Sequence, residues 1–525
     1  MNKKKIVSLL LLATMALSGF ATGCSNNSAS TTADETTQNA SNSEAPEVSS
    51  AEEAPVEVDL FENFRSVDLG GRTVNISVSS NISEGGAGMP SSYLYIAGPA
   101  ETVGESVQDN VYERNIFVEE LLGCKLNYMA ADLPLDQVQP YLEKLVTSGD
   151  TSIDYYVNDQ YGLLNCALNG SLLDLTDQSL FKEYYFDFNT DAYYTEYMAG
   201  LTLGDKRFIM TGDYFIDTMR ASHVLYFNKN IYTSVFGNAD DLYNKILEKN
   251  WNMDEFNKTI DAAYIDVDGD GKQSDGDTYG LSIHSKNWGD PYYVFYYSTD
   301  CHAIDKDDDG VPYINALNVE RMSKMAEKLI VTNTSNGTYK TENVGESLKK
   351  FVNGQSLFTA FQKIGDIEQS SIRDFDGMGV VPYPLMDETQ TGYRTLVHDT
   401  AEMGALPITT IGEAATATSA VIQVMSIHAH ENLLHDYYET ALKSKYAQDE
   451  YTAKMLDLVV AGISAPFELA YEFGFSGSSY LGGITFLPVR DSIDKGTDVT
   501  ASGFERRLKI ATKKLDKLIE IYLVD

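Results

Sequence analysis

The sequence predicts an α/β fold built on a parallel sheet. Three stretches have the pattern of short strands, and two stretches with helical spacing of apolar residues lie between them, so that strand and helix alternate from about residue 72 to residue 157. The chain has 525 residues, 43% of them hydrophobic, which is enough for two or three domains with buried cores. Length and composition therefore exclude a largely disordered chain.

Each element follows from a local pattern. Arg72–Val78 alternates with period two and predicts the first strand. Val107–Leu122 predicts a helix that stops at Gly123, and Lys125–Met129 predicts the second strand. The further predicted elements are a helix around Tyr141–Val146, a buried strand at Ile153–Val157, and an amphipathic C-terminal helix with the apolar face Phe504, Leu508, Ala511, Leu515, Leu518 and Tyr522.

Charge and ring content narrow the function classes. Asp and Glu number 77 against 39 Lys and Arg, and the net charge of −38 would repel a phosphate backbone, so we expect no nucleic-acid partner. The 34 Tyr residues supply rings with an apolar face and a polar tip. Such rings suit a partly hydrated binding surface.

Residues 1–23 predict a lipoprotein signal peptide. Lys3–Lys5 precede the apolar run Ile6–Ala21, which is short for a membrane span but typical of a signal peptide. Ala21–Cys24 resembles the bacterial lipobox, with Ala where that motif usually has Leu. The resemblance implies that Cys24 carries the lipid anchor, with acyl chains such as palmitate. The alternative is an ordinary signal peptide with an incidental cysteine.

Residues 24–60 predict a disordered, acidic tether rich in Ser and Thr. This stretch contains no Lys or Arg, so it cannot bury a core and its like charges keep it extended. We therefore expect a protein that is lipid-anchored at the extracellular face of the bacterial cell membrane. The carboxylates of the tether are Asp34, Glu35, Glu44, Glu47, Glu52, Glu53, Glu57 and Asp59.

Three cysteines remain if Cys24 is lipidated. Cys124, Cys166 and Cys301 are odd in number and lack Cys-x-x-Cys spacing, so they indicate neither a disulfide framework nor a zinc site. We interpret them as small buried hydrophobic residues, although one bridge between two of them stays open.

Nine short motifs follow one another from about residue 67. They are Leu69–Val74, Tyr112–Asn115, Asp159–Gly162, Gly170–Leu175, Leu225–Lys229, Trp251–Phe256, Phe351–Gly354, Gly379–Pro384 and Tyr438–Leu458. Each motif alone is weak. In this order, and together with the lipobox, they resemble bacterial extracellular solute-binding proteins of family 1, the maltodextrin-binding-like receptor lipoproteins of carbohydrate ABC transporters.

The resemblance implies a two-lobed, type II periplasmic-binding-protein-like fold with a ligand cleft between lobes that hinge strands join. It places residues 61–218 plus 380–435 in lobe one and residues 219–379 plus 436–525 in lobe two. It also implies a monomeric, non-catalytic receptor that closes over a carbohydrate, most simply an oligosaccharide, and hands it to the permease subunits of an ABC importer.

Candidate ligand-binding residues come from the chemistry of sugars. A pyranose needs flat ring faces against its C–H groups and planar polar groups against its hydroxyls, so the candidates are aromatic and acidic residues in loops after predicted strands. For each ring the alternative is core packing. Trp251 precedes a predicted helix and is expected to be structural. The ligand-binding candidates are Asp159, Tyr161, Asp213, Tyr214, Trp288, Tyr293 and Tyr383.

Residues 266–277 have the spacing of an EF-hand-type calcium loop. Oxygen ligands stand at positions 1, 3, 5, 9 and 12, and Gly271 stands at the sharp turn. Position 12 is Asp in place of Glu, and Lys272 offers only its backbone carbonyl. The alternative is an acidic turn without metal. The predicted ligands of a structural Ca²⁺ are Asp266, Asp268, Asp270, Lys272, Ser274 and Asp277.

Two other motifs are interpreted as structural. Asp305–Gly310 repeats the first half of the calcium pattern, but Ala316 stands at position 12, so we expect a β-hairpin turn. His428, His430 and His435 invite comparison with a zinc protease. The five-residue step between the last two rotates an α-helix by about 500°, which separates them on the helix surface.

The sequence leaves other functions open. A surface lipoprotein that hydrolyses glycans would need two carboxylates in a cleft, and such a pair cannot be recognised in so acidic a sequence. A glycan-binding lipoprotein without a transporter is a further alternative, and so is a peptide or sugar-acid ligand. The chain has neither a Gly-x-Ser-x-Gly nucleophile motif nor a P-loop motif. We also expect no catalytic cofactor.

Overall fold

The computed structural model describes residues 59–79, 93–131, 133, 137–214, 216–286, 290–315, 317–368, 370–375, 377–398, 401–438, 450–471, 486–499 and 503–523. The predicted signal peptide, Cys24, nearly all of the tether, and Trp288 lie outside the described residues. The α/β fold class predicted from the strand and helix pattern is confirmed. The described strands are β1 (Thr73–Ser79), β2 (Lys125–Ala131), β3 (Tyr155–Asp159), β4 (His223–Asn228), β5 (Tyr279–His284), β6 (Ile304–Lys306), β7 (Pro312–Ile314), β8 (Thr338–Thr341), β9 (Ser356–Lys363), β10 (Met378–Val381), β11 (Thr395–Leu396), β12 (Glu402–Ala405) and β13 (Ile463–Ser464).

The first sheet has the strand order β12-β3-β1-β2. Strand β1 pairs in parallel with both β2 and β3, with Thr73 opposite Lys125 and Ile76 opposite Tyr155. The helix Ser106–Leu122 connects β1 to β2, and Gly123 ends it in the left-handed conformation at φ 59°. The predicted run of strand, helix, strand, helix and strand is therefore confirmed, because parallel neighbours need a crossover connection.

The second sheet has the strand order β10-β4-β9-β5-β8. Strands β5, β8 and β9 are parallel to one another, and β4 runs antiparallel between β9 and β10. The predicted boundary between the lobes at residues 379 and 380 falls inside β10, which pairs with β4 of this sheet. The lobe boundaries themselves stay a prediction.

Helices cover both sheets. The C-terminal helix is confirmed as amphipathic, since Phe504 packs into the core around the second sheet while Leu515 and Leu518 pack into a core that contains Tyr156 of the first sheet. It thus contacts both halves of the fold. The described α-helices are Tyr93–Ile96, Ser106–Leu122, Val138–Ser148, Gln160–Leu168, Thr195–Leu201, Asp217–Arg220, Lys229–Phe236, Asp240–Leu247, Met253–Ala262, Asp290–Ser298, Asn318–Thr334, Val344–Val352, Ser370–Arg373, Glu413–His428, Glu450–Ala461, Phe467–Ala470, Leu487–Lys495 and Phe504–Tyr522, with a π-helix at Ala429–Leu434 and 3₁₀-helices at Glu62–Phe64, Gln178–Leu180 and Ile364–Glu368.

The cysteines are small buried residues, as predicted. Cys124, Cys166 and Cys301 are free thiols inside the protein. Burial raises the pKa of the Cys124 thiol to about 11 and those of Cys166 and Cys301 to about 12, so all three stay protonated at neutral pH.

Among the described helices, none combines the length and the apolar character that crossing a membrane requires.

Candidate ligand-binding site

The carboxyl edges of both sheets carry buried polar residues. In the first sheet β3 ends at Asp159, and β12 runs antiparallel to it and begins at the opposite residue, Glu402. In the second sheet β9 ends at Lys363, opposite His223 at the start of β4. Ligands of open α/β sheets bind at this edge, because the strand ends point their following loops into the same crevice.

Two segments of the chain, residues 217–222 and residues 397–398, are the crossing segments that hold these edges close together. Ser222 bridges to Val397, and the backbone N–H of His398 donates to the carbonyl of Ala221 over 2.9 Å. On the side of the first sheet, the N–H of Gln160 donates to the carbonyl of Ala401 over 2.8 Å. The N–H of Ala401 donates to the carbonyl of His398 over 2.9 Å, and these contacts together join the end of β3 to the start of β4.

Arg220 lies fully buried where the crossing segments meet. Its guanidinium pairs with Asp217 over 3.0 Å and with both oxygens of Glu368 over 3.1 and 3.2 Å. It also stacks 4.1 Å from the ring centroid of Tyr95, and Tyr437 donates to Glu368. Although burial alone would lower it, the two carboxylates raise the pKa of Arg220 well above its ordinary value. The cation stays charged and ties four separate segments together.

Glu402 is buried and incompletely hydrogen-bonded. Its side chain belongs to a residue that is 2% exposed, and its Oε2 atom has no hydrogen-bond partner among the described residues. Burial, followed by the nearby carboxylates of Asp217 and Asp159, raises the pKa of Glu402 well above its ordinary value. The raised pKa favours the protonated carboxylic acid, which is able to donate and to accept.

His223 is a second residue at the junction of the two sheets with a buried polar atom that lacks a hydrogen-bond partner among the described residues. Its Nδ1 lies 3.3 Å from the carbonyl of Gln362, which requires the proton on Nδ1 and leaves Nε2 as an acceptor. This Nε2 has no partner within the described part of the chain. Burial and the charge of Lys363 lower the pKa of His223 to about 3, and burial lowers that of His398 well below its ordinary value. Both imidazoles are neutral.

Phe361 presents an aromatic ring beside these histidines. Its ring centroid lies 4.9 Å from that of His223 and 5.7 Å from that of His398, and the residue is only half-buried. Its backbone adopts φ 65°, an outlier for a bulky residue, and strain of this kind clusters at functional sites. The N–H of Phe361 donates to the hydroxyl of Tyr383 over 2.9 Å, which helps to hold the strained strand end.

The predicted ligand-binding residues fall into separate groups. Asp159 and the half-buried Tyr161 lie at the carboxyl edge of the first sheet, where Asp159 caps the helix Gln160–Leu168 by accepting from Gly162 over 2.6 Å. Tyr293 and Tyr383 are buried next to Phe361. Four of the seven candidates therefore lie beside a strand end, two following β3 of the first sheet and two next to Phe361 in β9 of the second sheet.

Asp213 and Tyr214 lie elsewhere, buried inside the first half of the fold. Asp213 pairs with His430 over 2.7 Å, and the hydroxyl of Tyr214 accepts from that of Tyr155 over 3.1 Å. Trp288 is outside the described residues. For all seven residues, contact with a ligand stays a prediction.

Sequence reasoning missed Glu402, His223, His398 and Phe361. Asp159 and Glu402 are opposite each other in the sheet but 243 positions apart in the chain, so no local pattern in the sequence predicts that they pair. In the structure Glu402 and His223 each begin a strand that runs antiparallel to its neighbour at the ligand-binding edge, and this pairing is not visible in the sequence.

The acidic loop at residues 266–277 has part of the predicted geometry. Oxygens of Asp266, Asp268 and Asp270 lie within 4.8 Å of one another, and Gly271 takes φ 76° at the predicted turn. Asp277 instead accepts hydrogen bonds from the backbone of Val267 over 3.0 Å and of Ser274 over 2.7 Å. The loop is thus closed by Asp277, and calcium binding with Lys272 and Ser274 as further ligands stays a prediction.

The other motifs have structural roles. Strands β6 and β7 form the hairpin predicted around Asp305–Gly310. His428 packs against Phe117 with ring centroids 4.9 Å apart, while His430 pairs with Asp213. Within the described ranges the three histidines form no group able to hold a metal ion.

Comparison of the sequence found no related protein: no protein-family model matches, and no curated protein is significantly similar. Solved structures do match. The galacto-N-biose-/lacto-N-biose I-binding protein of the ABC transporter from Bifidobacterium longum, in complex with lacto-N-biose, has 12% identity and a TM-score of 0.52, with 86% of this chain and 98% of that chain covered.

Two further solved structures match the fold of this chain. The cyclic α-maltosyl-1,6-maltose binding protein from Arthrobacter globiformis has 13% identity and a TM-score of 0.51, and UgpB from Mycobacterium tuberculosis in complex with glycerophosphocholine has 13% identity and a TM-score of 0.50. Each match covers 86% of this chain and 100% of the other chain. At such identities the likeness concerns the fold. The chain has the two-lobed α/β fold of the solute-binding proteins of ABC transporters.

Proposed function

We propose that the protein is a non-catalytic receptor that binds a neutral carbohydrate between its lobes and delivers it to an ABC importer. The observation that carries the proposal is the junction of the two sheets. Glu402 and His223 each have a buried polar atom without a partner among the described residues, and the half-buried ring of Phe361 lies beside His223. Neutral donors and acceptors next to a ring face match the hydroxyls and C–H faces of a sugar.

Neutrality of the groups favours an uncharged ligand. The pKa of Glu402 is raised and that of His223 is lowered, so burial disfavours the charged form of each residue. A hydroxyl can donate to His223 Nε2 and pair with the carboxylic acid of Glu402. Closure of the lobes over the sugar would be driven by its additional contacts in the closed state. Trp288 remains a proposed stacking platform.

The ligand proposal is tested by thermal unfolding against a library of mono- and oligosaccharides. We expect at least one sugar to raise the melting temperature, because a ligand at a hundredfold excess over its Kd stabilises the folded state by about 2.7 kcal/mol. Chromatography should recover that sugar intact. Sugar cleavage would instead establish the hydrolase alternative. No shift with any sugar would remove the carbohydrate proposal.

Variants of Glu402 locate the binding site. We expect Glu402→Ala to weaken binding of that sugar by about 1–3 kcal/mol, because a ligand hydroxyl loses its buried partner. Glu402→Gln, which has the shape of the protonated acid, should retain most of the affinity, and Glu520→Ala on the exposed face of the C-terminal helix is the matched control. Equal affinity of Glu402→Ala and wild type in calorimetry would place the ligand elsewhere.

Wild type and Glu402→Gln together also test whether Glu402 is charged. Its pKa is raised on folding, so the folded state holds a proton that the unfolded state releases above its ordinary pKa of about 4.3. The stability of wild type, relative to Glu402→Gln, should therefore fall as the pH rises from about 4.3 towards the folded-state pKa. A constant difference between the two unfolding free energies over this range would mean that Glu402 is ionised in the folded protein.

We further propose that Cys24 anchors the protein in the membrane at the extracellular face. The lipobox-like sequence before it and the acidic stretch after it support this proposal. We expect Cys24→Ala to appear in the medium or to stay unprocessed, as followed by cell fractionation and mass spectrometry. Cys124→Ala, which alters a buried thiol, should remain membrane-bound. Equal membrane retention of Cys24→Ala would contradict the anchor.

A structural Ca²⁺ in the 266–277 loop is the third proposal. The clustered oxygens of Asp266, Asp268 and Asp270 support it. We expect a chelator to lower the melting temperature of wild type, because an ion bound only to the folded state stabilises it by mass action. The double substitution Asp266→Ala and Asp270→Ala should abolish this response. Asp308→Ala with Asp309→Ala, in the acidic turn of the β6–β7 hairpin, should leave it intact. A wild-type melting temperature that does not change when chelator is added would contradict calcium binding.

A further inference from the structure

A cavity lies apart from the junction of the sheets. It has a volume of about 630 Å³, and three stretches line it: the start of the described chain at residues 60–64, the loop 184–192, and the segment 423–431 at the end of a long helix. None of the lining residues belongs to the proposed sugar site. A cavity of this size is large enough for a small organic molecule.

Gln423 provides a buried donor at this cavity. The residue is 1% exposed, and its Oε1 accepts from the backbone N–H of Asp187 over 2.9 Å and from the hydroxyl of Tyr193 over 2.7 Å. These two donors fix the orientation of the amide, since an NH₂ group could not accept from them. The Nε2 atom is left without a partner in the described ranges. A buried donor of this kind calls for an acceptor oxygen.

The lining also contains aromatic and acidic residues. Tyr184 and Tyr185 contribute half-buried rings, and Asp187, Asp191 and Glu431 contribute exposed carboxylates. The described lining residues include no Lys or Arg. His430 also lines the cavity, but its charge is balanced by Asp213 at 2.7 Å. Carboxylates together with ring faces attract an organic cation and repel an anion.

A π-helix forms one rim of the cavity. The segment Ala429–Leu434 departs from α-helical geometry directly after the helix Glu413–His428, and it carries both His430 and Glu431 to the cavity wall. π-Helical turns are rare and occur frequently at functional sites. This observation is independent of the unpartnered amide of Gln423.

We propose that this cavity is a second binding site for a small primary amine that also carries a hydroxyl or carbonyl oxygen, the chemistry of an amino sugar or amino alcohol. The oxygen of the ligand accepts from Gln423 Nε2. Its ammonium group faces Asp191 and Glu431, and its apolar face packs on the tyrosine rings. The site is distinct from the sugar cleft and does not depend on transport.

The proposal is tested by calorimetry with glucosamine as the probe at low ionic strength. Glucose lacks the ammonium group and cyclohexylamine lacks the oxygen, so we expect glucosamine to bind about fivefold or more tightly than either, the ratio that one hydrogen bond of ordinary strength supplies. Equal binding of cyclohexylamine, or no saturable binding of glucosamine at millimolar concentration, would overturn the proposal.

A charge variant assigns the binding to this cavity. Asp191→Asn with Glu431→Gln changes two exposed side chains, so the variant should fold normally and lose glucosamine affinity by about fivefold or more. Asp205→Asn with Glu520→Gln removes the same charge elsewhere on the surface and should bind like wild type. Glucosamine binding that is unchanged in Asp191→Asn with Glu431→Gln would belong to another site and would overturn the proposal. The proposed sugar site shares none of these residues, so this outcome does not depend on whether the sugar proposal holds.

Discussion

Arg220→Met is expected to lower the free energy of unfolding by about 3–5 kcal/mol, the cost of removing one partner from a buried ion pair. Arg220 is 1% exposed and neutralises Asp217 and Glu368. Methionine fills a similar volume but leaves both carboxylates without their cation in a poorly solvated place. The change is measured by urea unfolding followed by circular dichroism.

Two variants make this test specific. Lys454→Met breaks the exposed pair with Glu450 on one helix face and should alter stability by less than about 0.5 kcal/mol. Adding Glu368→Gln to Arg220→Met should restore part of the lost stability, since one uncompensated charge is removed. A loss below about 1 kcal/mol for Arg220→Met would contradict the view that this ion cluster holds the crossing segments.

Trp251→Ala is expected to cost about 3–5 kcal/mol of stability, the range for truncating a large aromatic residue in a core. Trp251 is fully buried, and its ring lies 5.7 Å from those of Phe256 and Phe358. Its indole N–H donates to the carbonyl of Pro382 over 3.3 Å. The predicted structural role of Trp251 is thereby confirmed, and the substitution would leave a large cavity in the core of the second sheet.

The matched control for Trp251 is an exposed apolar residue. Leu317 is 83% exposed, so Leu317→Ala should change the unfolding free energy by less than about 0.5 kcal/mol. The folded fraction of Trp251→Ala should still bind the sugar, because the partners described for Trp251 are the core residues Phe256, Phe358 and Pro382. Normal stability of Trp251→Ala in urea unfolding would show that the surrounding core can close around the missing ring.

Local patterns determined much of the fold. The helix that stops at Gly123, the strands on either side of it and the amphipathic C-terminal helix all depend on residues within a few positions of one another. Period-two and period-3.6 spacing report which side chains face a core, and a glycine at a helix end reports a left-handed turn. The burial of Trp251 and of the three cysteines followed from the same local rules.

Only the tertiary structure decided the candidate site. Asp159 and Glu402 meet because β12 pairs with β3 across 243 positions, and His223 faces Lys363 because β4 pairs with β9. Strand pairing of this kind depends on the packing of whole sheets, which no short spacing encodes. The charge states of Glu402 and His223 follow from burial, which is likewise a property of the assembled fold. By itself, then, the sequence determined the elements and their class, while the pairing of strands from distant parts of the chain decided which polar groups are buried at the junction of the sheets.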